Sequence, residues 1–132
     1  AQMVSFLWRA NGSPKAAGAN PFTDVSADAY YYDAVLWAVE KGITSGTSAT
    51  TFSPNATVTR GQTVSFLHRA NGSPAVSGSS PFTDVAADAY YAAAVQWAVA
   101  ENITAGTSAT TFSPDAACTR GQIVSFLYRD MA

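Results

Sequence analysis

The chain repeats itself at an offset of 60 residues, and this constrains every fold it can adopt. Pro21-Phe22-Thr23-Asp24-Val25 returns as Pro81-Phe82-Thr83-Asp84-Val85, and Thr51-Phe52-Ser53-Pro54 as Thr111-Phe112-Ser113-Pro114. Thr59-Arg60-Gly61-Gln62 returns as Thr119-Arg120-Gly121-Gln122, and Val-Ser-Phe-Leu occurs three times, from Val4, Val64 and Val124. A unit of roughly 50 residues buries little surface alone, so neighbouring units are expected to share a core. The repeats predict three segments: residues 1–14 as the closing helix of a truncated preceding repeat, then whole repeats over 21–74 and 81–130. Ala1-Gln2 aligns with Gly61-Gln62, which places the start inside a repeat and implies a larger precursor.

Each whole repeat reads as helix, loop, helix. From Asp28 onward, Tyr31, Ala34, Val35 and Ala38 follow the i, i+3, i+4, i+7 spacing of an amphipathic helix. The second copy keeps this stripe as Tyr91, Ala94, Val95 and Ala98, while Asp33, Leu36 and Glu40 change to Ala93, Gln96 and Ala100. A stripe that survives while its flanks drift is the mark of a core-facing surface. Asp28 and Asp88 sit where a carboxylate would cap the helix start. Gly42 and its counterpart Asn102 both tolerate the left-handed conformation that follows a helix. Residues 43–58, rich in Thr, Ser, Gly, Asn and Pro, should form an ordered loop pinned by Ile43 and Phe52, with a tight turn at Ser53-Pro54-Asn55. The second helix begins at Thr59, where Thr59 and Gln62 fit a capping box that Thr119 and Gln122 repeat. Asn11-Gly12-Ser13-Pro14 and Asn71-Gly72-Ser73-Pro74 stop the preceding helices, and residues 15–20 and 75–80 read as linkers.

A net charge of −2, with seven scattered basic residues, offers no field suited to nucleic acid. No apolar run approaches the roughly 18 residues of a membrane-spanning helix. Cys118 is the single cysteine, so neither an internal disulfide nor a cysteine-based metal site can form; its alignment with Val58 marks it as a small buried residue. His68 is the single histidine, and its counterparts are Trp8 and Tyr128, which indicates an aromatic-sized position rather than a general base. No nucleophile elbow, zinc-binding pair or phosphate loop is present. Asp24 and Asp84 are single acids in separate repeats, unlike a glycosidase pair. The chain is therefore expected to be no enzyme and to need no metal or cofactor.

Arg60 and Arg120 are the sharpest features. Each falls in the first turn of a helix, where the dipole disfavours a cation by up to about 1 kcal/mol. One reason to place arginine there is an anion held jointly by the guanidinium and free helix amides, with glycine next to it allowing close approach. The other is an ion pair with a nearby acid such as Asp24 or Asp84. Trp37 and Trp97, near the end of the first helix, are either rings that stack on sugars or core residues.

The repeats resemble the S-layer homology module of bacterial surface proteins. The likeness runs through Phe22-Thr23-Asp24-Val25, Trp37-Ala38, Gly42-Ile43-Thr44-Ser45-Gly46, Phe52-Ser53-Pro54 and Thr59-Arg60-Gly61-Gln62, and again from Phe82 to Arg129. The resemblance implies a mainly α fold, with tandem helix–loop–helix repeats and long ordered loops in a pseudo-symmetric bundle. It also implies an extracellular, non-enzymatic anchor that binds an anionic, pyruvylated secondary polysaccharide in the bacterial cell wall. A pyruvate ketal carries a carboxylate, so the resemblance favours the anion reading of Arg60 and Arg120. The family's Thr-Arg-Ala-Glu motif falls on Thr59, Arg60, Gly61 and Gln62 and on Thr119, Arg120, Gly121 and Gln122, with Gln in place of Glu removing a charge. Gly46 and Gly106 match the glycine before its binding loop, and Asp24 and Asp84 match its Asp-Val; Trp37 and Trp97 complete the candidate ligand set. The alternative is a structural module that self-associates into an oligomer or filament through its repeats.

Overall fold

A computed structural model describes residues 1–16, 18–76 and 81–131, excepting the side chains of Arg120 and Met131. The linkers expected at 15–20 and 75–80 thus lie partly outside the described residues. The described residues form five helices and no strand: α1 (Gln2–Ala10), α2 (Tyr32–Glu40), α3 (Arg60–Ala70), α4 (Ala92–Ala100) and α5 (Arg120–Met131). Two compact units result, Ala1–Ala56 and Thr57–Ala132. In the first, α1 packs on α2; in the second, α3 packs on α4 and α5. The fold is mainly α, as the sequence pattern predicts.

Helix α2 starts later than its apolar stripe suggests. The Asp28 amide donates to the Ser26 hydroxyl at 3.3 Å, and Ala29 and Tyr32 close successive turns on the carbonyls of Ser26 and Ala29. The N-cap is Tyr31, with no side-chain cap, and Tyr91 does the same for α4. Asp28 and Asp88 therefore lie in a preceding turn and do not cap these helices, contrary to expectation. The stripe itself is buried at Ala34, Val35 and Ala38 and at Ala94, Val95 and Ala98. These small side chains present a low surface to the partner helix, so backbones can pack closely.

The helix ends follow local chemistry. Ile43 donates to the Ala38 carbonyl at 2.8 Å and Gly42 to Val39 at 3.0 Å, the paired bonds of a Schellman motif. Gly42 has φ +72° and Asn102 φ +61°, the left-handed conformation this motif needs. Ile43 and Ile103 are then delivered into the core. The same bond pair ends α1 at Gly12 and Ser13 and α3 at Gly72 and Ser73.

The long loops are tied down by one acid each. Asp24 accepts from the Phe52 amide at 2.9 Å and the Ser53 amide at 2.8 Å; Asp84 accepts from Phe112 and Ser113 at the same distances. Phe22 and Phe52 pack with ring centroids 5.6 Å apart, and Phe82 and Phe112 at 5.7 Å. The Phe22 ring fills the space beside Gly46, and the Phe82 ring that beside Gly106.

Candidate functional site at the capped helix starts

The α3 start is assembled from the Thr59 capping box. The Thr59 hydroxyl accepts from the Gln62 amide at 3.1 Å, and the Gln62 side chain accepts from the Thr59 amide at 2.9 Å. The Thr63 hydroxyl returns a bond to the Thr59 carbonyl at 2.9 Å. The loop ahead of α5 folds across this start. The Arg60 amide donates to Ala116 and the Gly61 amide to Pro114, both at 2.9 Å, and the Cys118 amide donates to Val58 at 2.8 Å. The first-turn donors of α3 are thus taken within the protein, by the Ala116, Pro114 and Thr59 carbonyls and the Thr59 hydroxyl. The free amides that an anion would need at Arg60 are absent, because the 114–118 loop reaches them first. Gly61 serves that contact: a Cβ there would lie 3.0 Å from the Tyr91 ring and 3.2 Å from the Pro114 carbonyl.

The Arg60 side chain follows the backbone inward and is 5% exposed. Its Nε donates to the Phe112 carbonyl at 2.8 Å, and its guanidinium carbon lies 4.7 Å from the Phe112 ring centroid and 5.4 Å from that of Phe126. Asp84 holds the amide of the same Phe112 whose carbonyl Arg60 holds. Acid and base therefore meet through one residue's main chain, a third arrangement beside the two the sequence leaves open. Burial lowers the Arg60 pKa, with the Cys118 and Asp84 charges acting the other way. Burial works to raise the Asp84 pKa, but the Phe112 and Ser113 amides and the Arg60 charge overcome it and leave it lowered. Asp24 is lowered chiefly by the Phe52 amide.

The α5 start has the same cap, and among the described residues no loop carbonyl bonds to its first turn. Thr119 and Gln122 exchange bonds of 3.0 and 3.1 Å, and Gly121 is exposed. A Cβ on Gly121 would meet only the Thr119 hydroxyl, at 3.9 Å. Arg120 begins this helix; its side chain lies outside the described residues.

Other candidates fall elsewhere. Trp37 and Trp97 are buried in the helix pairs, and Trp97 packs on His68 with ring centroids 5.4 Å apart. Its remaining edge reaches an open cleft of about 230 Å³ shared with Asn71, Pro74, Glu101, Arg129 and Asp130. That cleft is at the far end of α3 from Arg60. Gly46 and Gly106 sit beneath phenylalanine rings. Sequence reading also missed a shared donor role: Trp8 Nε1 donates to the Pro14 carbonyl at 2.7 Å, and His68 Nε2 meets the Pro74 carbonyl at 2.8 Å. A carbonyl only accepts, so His68 carries its proton on Nε2. The available signal was a nitrogen-bearing ring at matching positions, each followed six residues later by proline.

The sequence pattern of the S-layer homology domain matches residues 21–64 and again 81–124. The chain belongs to the S-layer homology family. It is 37% identical over 110 residues to the surface-layer 125 kDa protein of Lysinibacillus sphaericus, covering 80% of this chain and 9% of that protein. It is 34% identical over 120 residues to an endoglucanase of a Bacillus species (strain KSM-635), covering 91% of this chain and 12% of that enzyme. The chain thus spans only a small part of these relatives. S-layer homology repeats are non-catalytic modules that anchor proteins to the cell wall, which places this chain at the bacterial cell surface. No helix among the described residues is long and apolar enough to cross a membrane, and no cluster of three or more metal-ligating side chains occurs among them.

Proposed function

We propose that these S-layer homology repeats anchor their protein by binding an anionic, pyruvylated secondary polysaccharide of the cell wall. The observation that carries this reading is the capped start of α5 with its exposed Gly121. Thr119 and Gln122 pre-form the helix turn, Gly121 is exposed, and Arg120 is the first residue of that helix. A helix start with an adjacent guanidinium favours a carboxylate over a neutral sugar. Thr59, Arg60 and Gln62 repeat the motif, and there the carbonyls of Ala116 and Pro114 accept from the Arg60 and Gly61 amides. Arg60 and Asp84 then act as the frame that holds the 112–118 loop.

Calorimetric titration with purified pyruvylated wall polysaccharide tests the reading, beside the same polymer stripped of its ketals by mild acid. Binding should require the ketal, and Arg120→Ala should weaken it at least about tenfold, the scale of one charge-assisted hydrogen bond, with the helical circular dichroism unchanged. Equal affinity for the stripped polymer, or an Arg120→Ala protein that binds as its parent does, overturns it.

A further inference from the structure

Helices α1 and α3 end differently from α2 and α4. Helices α2 and α4 stop on a single left-handed residue, Gly42 and Asn102, and Ile43 and Ile103 after them are not left-handed. Helices α1 and α3 close with the same pair of backbone bonds but carry a second left-handed residue, a serine. Ser13 has φ +52° after Gly12 at +87°, and Ser73 has φ +50° after Gly72 at +84°. The cap motif needs only the first residue of each pair. In the second, a Cβ is crowded by the following carbonyl, and the conformation persists only where the surroundings hold it.

We infer that Trp8 and His68 are straps that hold these serines and so fix the direction in which the chain leaves each closing helix for the next. Each grips the Ser-Pro pair twice. The Trp8 carbonyl accepts from the Ser13 amide at 3.0 Å, while its ring Nε1 donates to the Pro14 carbonyl at 2.7 Å. The His68 carbonyl accepts from the Ser73 amide at 2.8 Å, while its ring Nε2 donates to the Pro74 carbonyl at 2.8 Å. The strained serine is thus tied to one residue at its own amide and again one residue beyond. An indole and an imidazole differ in size and polarity, and the property they share here is an N–H on the far edge of the ring. Each strap acts within one compact unit, α1 and its linker in the first and α3 and its linker in the second. In the second unit the strap also touches the helix to which the linker leads, because the His68 ring packs on Trp97 of α4 with centroids 5.4 Å apart. One side chain therefore sets the first turn of the linker and meets its destination. The single histidine gains a positioning role that is independent of the glycan reading, and its assay contains no polysaccharide.

Amide hydrogen exchange of the whole chain, resolved by NMR, tests it. His68→Phe keeps a ring against Trp97 and removes the donor; protection of the Ser73 amide should fall roughly fivefold, the scale of one net hydrogen bond. His68→Gln gives up the ring and keeps an N–H donor, and should retain most of the protection. A residue that only filled space beside Trp97 would rank the two variants the other way. Adding Ser73→Gly to His68→Phe removes the crowded Cβ and should recover most of the loss. In the first unit Lys15 is exposed and follows Pro14 directly, so trypsin reads the strap there. Trp8→Phe should be cut after Lys15 roughly fivefold faster, and Trp8→His should be cut near the parental rate. Parental protection of Ser73 in His68→Phe, lower protection in His68→Gln than in His68→Phe, no recovery with Ser73→Gly, or parental cleavage of Trp8→Phe each overturns the inference.

Discussion

Gly72 and Gly106 allow backbone strain to be separated from crowding. Both adopt left-handed conformations, with φ +84° and +90°. They belong to the same compact unit. They differ in what a methyl group would meet. At Gly72 no described residue lies within 4 Å of a Cβ; at Gly106 it would lie 2.5 Å from Cε1 of Phe82 and 2.6 Å from the Thr111 carbonyl. The left-handed conformation costs an L-residue about 1–2 kcal/mol, and Ala recovers about 0.4–1 kcal/mol by restricting the unfolded chain. Gly72→Ala should therefore lose about 1 kcal/mol. Gly106→Ala adds overpacking of about 1–3 kcal/mol. Phe82 is buried against Phe112, and the second neighbour is main chain, so neither yields cheaply. Its total should reach about 2–4 kcal/mol, a large part of the stability of so small a unit. Urea unfolding followed by circular dichroism, with unchanged m-value, measures both variants. Equal losses within about 0.5 kcal/mol would refute the reasoning. So would a Gly106→Ala protein of parental stability that has lost only glycan binding, since the glycine would then serve a ligand and not the Phe82 ring.

Two further outcomes follow from the titrating groups. Asp84 has a lowered folded pKa, so its contribution to stability is present above the unfolded carboxyl value of about 3.9 and disappears as pH falls through the folded value. Urea midpoints of the parent should hold steady from neutrality to about pH 4.5 and then fall, while Asp84→Asn should start lower and fall less; parallel curves would show that the carboxylate is not the loop clamp. Burial raises the Cys118 thiol pKa, against smaller opposing effects of Thr63 and Arg60. Its reaction with Ellman's reagent should be roughly 100-fold slower in the native than in the urea-unfolded protein, and a native rate near that of free cysteine would contradict its burial.

Features closed within a few residues were legible in the sequence. The Thr59 and Thr119 capping boxes and the left-handed Gly42 and Asn102 depend on neighbours in the chain, and they form as expected. The α2 start was not legible, because Ser26, Ala29 and Tyr32 form turns that use the Asp28 amide before a helix can. The role of Asp24 was hidden by distance, since its partners Phe52 and Ser53 come 28 and 29 residues later. Arg60 shows the same limit more sharply. Its position at a helix start is local, but its environment is set by Phe112, 52 residues on. Only the folded loop decides whether a cation at a helix start faces solvent or a carbonyl.

The register of packing differs from the register of sequence. The family match over 21–64 begins in the first compact unit and ends in the second. The helix that closes one repeat is covered by the helix that opens the next, as α1 is by α2 and α3 by α4. Helices α2 and α4 are nine residues long and lack side-chain caps. Helices this short are marginal in isolation, so they must draw their stability from the partner helix. The closing helix α3 has a capping box and can template the uncapped helix that follows it. In such a tandem array every closing helix offers a seat that a neighbouring repeat must fill.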